Sequence, residues 1–210
     1  MNEDLDLKQL EQATFRVANQ DGLTEIMMGL MIMAIGLLIV NSTFIFYVAL
    51  LIIFQATLIE RIKEKYTYPR IGRVKLKEEQ EMPYGPYWAV FAIVMIVALS
   101  SVIISARIEN ELLDILARWA PLIMGIGLLQ PFTFLVQRSG LKGYYGVGGI
   151  IAILGGVFVL LEFDSTIVRM SLYLLVAGGF LFLAGLASLV RFVRKYPVLA
   201  LEDVGDEQEQ

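Results

Sequence analysis

Arg61 to Pro83 reads RIKEKYTYPRIGRVKLKEEQEMP, the one long, strongly charged segment between apolar runs. Seven of the seventeen basic residues fall in it: Arg61, Lys63, Lys65, Arg70, Arg73, Lys75 and Lys77. Short Lys/Arg-rich loops stay on the cytoplasmic side of a membrane, so this stretch sets the orientation of everything that flanks it. Counted outward from an inside loop, fourteen basic residues face the cytoplasm and three (Arg107, Arg118, Arg169) face out.

The flanks support a membrane reading. Hydrophobic residues make up 57% of the 210-residue chain and charged ones 18%, too apolar for an ordinary soluble domain of this length. A spanning helix needs about 20 mostly apolar residues. Ile26 to Val40 is an unbroken apolar run of fifteen, so its helix is expected to start near Gly22, with Asp21 capping free N–H groups and Glu25 dipping toward the membrane edge. Asn41-Ser42-Thr43 is a tight turn into the second run, Phe44 to Ile59. Tyr84, Tyr87 and Trp88 gather at the mouth of the third, as interfacial aromatics do. Gln130-Pro131 interrupts the fourth, where proline removes a backbone donor and a kink is expected. The expected fold is all-α: six transmembrane helices in three antiparallel hairpins, both termini cytoplasmic, with helices near 22–41, 44–62, 84–106, 112–137, 142–161 and 167–195. A cytoplasmic amphipathic segment, 1–20, precedes this 21–197 domain, lying along the inner interface or packed on the chain's own loops. The tail, 198–210, carries five acids and no base and reads as solvated. The first span is expected to serve as its own insertion signal, since an acidic, polar leader precedes it.

Cysteine and histidine are both absent, which excludes disulfides, thiolate metal sites, Cys nucleophiles and His-based acid–base devices. No charge lies near the middle of any apolar run, where proton and ion pathways usually keep one. Glu109, Glu111 and Asp114 are the carboxylates dense enough to suggest acid–base work, but no motif surrounds them. The glycines of GLKGYYGVGG fit neither a dinucleotide nor a phosphate loop. No cofactor, metal or nucleic acid is expected.

Small residues recur at spacings that close helix packing in lipid requires. Gly22, Gly29 and Gly36 are seven apart in the first helix, and Ser171, Gly178 and Gly185 are seven apart in the sixth. Gly148, Ala152 and Gly156 are four apart in the fifth. The first two series match a left-handed seam and the third a close right-handed crossing, against the alternative that glycine is simply common in membrane helices. Gln130 either serves the carbonyl freed by Pro131 or lines a cavity.

The basic loop has two readings. Arg73, Lys75 and Lys77 alternate with Val74 and Leu76, which in an extended strand puts the cations on one side. With Arg70, this strip would attract anionic headgroups or a protein partner, or it is a topology signal alone. Pro69 and Gly72 are expected to form a turn presenting Arg70. The run Tyr66 to Lys75 resembles a short YPRxGxVK-like linker of small uncharacterised prokaryotic integral membrane proteins; the resemblance spans ten residues and the hairpin before them, and implies no activity, cofactor or substrate. The functional expectation is a non-enzymatic component of the cell membrane acting through helix packing and contacts with lipids, a protein partner or another copy of itself. The alternative is a transporter or channel-like protein for a neutral or lipidic substrate.

Overall fold

The computed structural model describes residues 20–71 and 85–197, which are helical with no strand among them. The amphipathic N-terminal segment, the basic strip Arg73, Lys75 and Lys77, and the acidic tail lie outside the described residues. Seven helices follow: α1 (Leu23–Val40), α2 (Ile45–Ile62), α3 (Gly85–Ser105), α4 (Glu111–Gly127), α5 (Leu129–Ser139), α6 (Gly143–Leu160) and α7 (Thr166–Lys195). Among the described residues, four spans are long and apolar enough to cross a membrane: Leu23–Val40, Glu111–Gln137, Gly143–Leu160 and Thr166–Lys195. A fifth arises if Ser42–Gln55 and Thr57–Arg70, bent by 54°, count as one.

The elements start and stop where local chemistry dictates. Asn41 ends α1, and its Oδ1 accepts from Thr43 N–H (2.9 Å), closing the turn into α2. Asn110 caps α4, its Oδ1 accepting from Leu112 N–H (3.0 Å) and Leu113 N–H (3.3 Å), with Glu111 and Asp114 in the positive first turn. Gly140, at φ 68°, ends α5 in the left-handed region where a Cβ is strained. α4 and α5 are separated at Leu128. Pro131 is the cause: it gives no N–H to the Gly127 carbonyl, so the break falls one turn ahead of it and Pro131 sits in the first turn of α5.

The second helix outruns the sequence expectation. The loop was to begin at Arg61, but helix continues through a π-helical turn (Lys63–Thr67) and a last turn (Tyr68–Ile71). Pro69 therefore sits in a helix and not in a reverse turn. A proline in a helix supplies no donor to the carbonyl four residues back, here Lys65, and its ring would crowd that carbonyl in an α-turn, which favours a widened turn just ahead.

The closest packing joins the two ends of the chain. The most extensive contact is between α1 and α7, the first and last helices, and the next two are α3 with α4 and α4 with α6. α2 touches α1 far less. At the far end of the bundle, the hydroxyls of Ser105 and Thr166 meet at 3.4 Å and tie α3 to α7.

The distribution of side chains is compatible with an apolar solvent. Ile53, Phe46, Leu183 and Leu160 stand exposed, Leu160 at 81%. Many interior contacts, by contrast, are made by glycine, alanine and serine. Large outward apolar surface would be a liability in water, whereas in lipid it is the ordinary coat and small residues hold the helices together.

Candidate functional site

The two seven-residue series meet each other. A Cβ on Gly29 would lie 2.6 Å from the Gly178 carbonyl oxygen, and one on Gly178 would lie 2.7 Å from the Gly29 carbonyl oxygen. A Cβ on Gly22 would collide with the Gly185 carbonyl, and one on Gly36 would sit 3.1 Å from the Ser171 carbonyl oxygen. The series run antiparallel in register, Gly22 against Gly185, Gly29 against Gly178 and Gly36 against Ser171. The Ser171 hydroxyl closes the far end by donating to the Gly36 carbonyl at 2.7 Å. Backbone touches backbone along the seam, and dispersion, with Met33 and Ile26 packed beside the glycines, and the Ser171 hydrogen bond hold it.

The fifth apolar run, α6, builds a second seam with a different spacing. Gly148 packs on Leu129 and Phe132, Ala152 faces Gly125, and Gly155 rests on the Pro121 carbonyl. Gly155, and not Gly156, makes the close approach, for a Cβ on Gly156 would find only Leu122 at 3.8 Å. A step of four followed by one of three keeps to one helical face better than two steps of four. Tyr173 of α7 reaches this seam, its hydroxyl beside Gly125 and its ring edge-on to Phe158 (5.8 Å, 65°).

Where α1 begins, a polar cluster joins three helices. Gly22, at φ 72°, turns the chain into α1 against α7 and points Asp21 back toward the end of α2. Asp21 is fully buried. Its Oδ1 accepts from Leu23 N–H (3.1 Å), and its Oδ2 accepts from the hydroxyl of Thr67 (3.0 Å), itself fully buried in the π-helical turn. Burial pushes the Asp21 carboxyl above its ordinary value, while Lys63 and the two donors pull the other way. One turn on, Glu25 is 6% exposed. It accepts from the hydroxyl of Tyr144 at the start of α6, whose ring stacks on Phe132 (6.4 Å, 25°). Glu25 is therefore held inside the protein, where Tyr144 offers its carboxyl a donor. Chemically, the cluster can hold positive charge and fasten α1, α2 and α6 to one another.

The other expected residues are dispersed. Gln130 is half-buried at the start of α5, and its carbonyl accepts from the Thr133 hydroxyl (2.7 Å). Arg70 turns a guanidinium nitrogen to the Tyr66 carbonyl (2.5 Å) within its own helix, while Arg73, Lys75 and Lys77 lie outside the described residues. Glu109, Glu111 and Asp114 line an open depression with Asn110, Ile115 and Arg118. Thr67 and Tyr144 were missed in the sequence; the signal that pointed near them was the Asp21–Glu25 pair at a helix start. No family model, curated protein or solved structure matches the chain.

Proposed function

We propose that the chain is a multi-pass, non-enzymatic component of the cell membrane, with six spans and both termini in the cytoplasm. In this reading it works by presenting a fixed helical surface to lipids, to a protein partner or to another copy of itself. The observation that carries the reading is the in-register seam of α1 and α7. Backbone-to-backbone contact over Gly22, Gly29 and Gly36 makes the first and last helices one rigid unit. α2 packs lightly beside it, with Phe46, Ile53 and Phe54 turned outward.

Gentle purification from native membranes, followed by mass spectrometry of what stays bound, tests the reading. A stoichiometric protein partner, or a homo-oligomer with annular lipid, is the expected result. The break between α4 and α5 at Leu128, beside Gln130 and Pro131, favours transport of a neutral or lipidic substrate as a second reading. A bound small molecule or a single tight lipid with no protein partner would favour that one.

Two further outcomes follow from the orientation and the loop. The chain has no native cysteine, so a single Cys placed at Ser42 is expected to react with an impermeant maleimide added outside the cell. Labelling from the cytoplasmic side alone would invert the orientation. Arg70, Arg73, Lys75 and Lys77 changed together to Gln are expected to weaken binding to anionic liposomes, since each basic residue near such a surface contributes about 1 kcal/mol. Unchanged binding at low salt would leave the loop as a topology signal only.

A further inference from the structure

Glu25 lacks a partner for half of its carboxyl. The residue is 6% exposed, and its Oε2 is buried with no donor reaching it among the described residues. The Tyr144 hydroxyl serves the same carboxyl from the α6 side. Buried charges are paired or bind ions, and an unpaired carboxylate oxygen in such a place calls for a positive ligand. Asp21, next to it, is in a different condition: each of its oxygens has a donor, and Lys63 is its counter-charge. The groups facing the pair are Lys63 and Thr67 from the end of α2 and Tyr144 from α6. From α7 the neighbours at Gly22 are Gly185 and Ser188, neither of which titrates.

We propose that Glu25 binds one small monovalent cation, a proton or a sodium ion, through its free Oε2 where the start of α1, the end of α2 and the start of α6 meet. Both ligands supply the same missing positive partner. A proton turns Oε2 into a donor. A sodium ion, a hard cation, would draw further oxygens from the Asp21 carboxyl and the Thr67 and Tyr144 hydroxyls. Either one stabilises the three-helix junction only while bound, so the junction reports on the cation. Nothing in this requires that a solute be transported, so the inference stands apart from both readings of function.

Thermal unfolding of the full chain in detergent tests it. Wild type and Glu25→Gln are compared in sodium chloride against choline chloride at equal ionic strength, and in choline from about pH 5 to about pH 8. A sodium site raises the wild-type midpoint by about 3 °C or more in sodium, and a proton site raises it on acidification in choline. In both cases the dependence is lost in Glu25→Gln. Wild type and Glu25→Gln moving in parallel under both treatments would overturn the proposal. Should Glu25→Gln not fold, Tyr144→Phe decides. It keeps the carboxyl but removes the hydroxyl that donates to it and would ligate sodium, so the sodium or pH dependence shifts from that of wild type. A dependence identical to wild type overturns the site.

Discussion

Gly178→Leu is expected to part the first and last helices, and Gly179→Leu, one residue on, to leave them together. A Cβ at residue 178 falls 2.7 Å from the Gly29 carbonyl oxygen and 2.8 Å from both the backbone nitrogen and Cγ of Met33. Two of these three are backbone atoms, which cannot rotate away as a side chain can. α7 must then shift off α1 along its length, and the contact at Gly22–Gly185 and the hydrogen bond from Ser171 to Gly36 go with it. Overpacking a well-filled core costs about 1–3 kcal/mol, and a leucine wedged between two backbones belongs at the top of that range or above it. At residue 179 a Cβ meets nothing within 4 Å. A leucine there extends into open space, and the helix gains propensity over glycine. The readout is the detergent unfolding midpoint of the two variants beside wild type, with Gly29→Leu as a third that should match Gly178→Leu. Equal midpoints for residues 178 and 179 would show that the seam is not what joins α1 to α7.

The seam also shows what a sequence of this kind can and cannot disclose. An all-helical chain with long apolar helices was legible from the runs themselves, because a membrane helix needs length and apolarity and little else. Gly22, Gly29 and Gly36, and Ser171, Gly178 and Gly185, were legible as faces that permit close approach. That they face each other was not, since a small residue specifies how near a partner comes and not which helix supplies it. The matching periods, seven on both helices, were the available clue. Gly155 was passed over for Gly156 because even steps of four were counted, while a helical face at 3.6 residues per turn alternates fours and threes. The polar cluster was hidden for a topological reason. Asp21 alone reads as a helix cap, Thr67 as part of a charged linker, and Tyr144 as the first residue of an apolar run; only the fold brings three helices to one point.

Asp21→Ala is expected to be the costliest change in that cluster. It strips the acceptor from two donors at once, Leu23 N–H and the fully buried Thr67 hydroxyl, and removes the counter-charge of Lys63. A buried donor left without a partner costs about 1–3 kcal/mol, so two of them put the loss at about 2–6 kcal/mol. Thr67→Val takes away only one donor and leaves Asp21 its contacts with Leu23 and Lys63; a loss of about 1 kcal/mol is expected. Because the two side chains touch, the double variant should cost less than the two single losses together, by a coupling of about 0.5–3 kcal/mol. Additive losses would mean that the bond from Thr67 to Asp21 holds nothing. The isosteric Asp21→Asn adds a pH test. Burial holds the Asp21 carboxyl above its ordinary value, so the folded chain binds that proton more tightly than the unfolded one. The stability it contributes is fully present below the unfolded carboxyl range, near about 4, and is lost as pH rises through the folded value. Asparagine does not titrate, so the deficit of Asp21→Asn relative to wild type should shrink as pH rises through that window. A deficit that grows instead would mean that Lys63 and the two donors outweigh burial, and that Asp21 works as a fixed anion holding the end of α2 against α1.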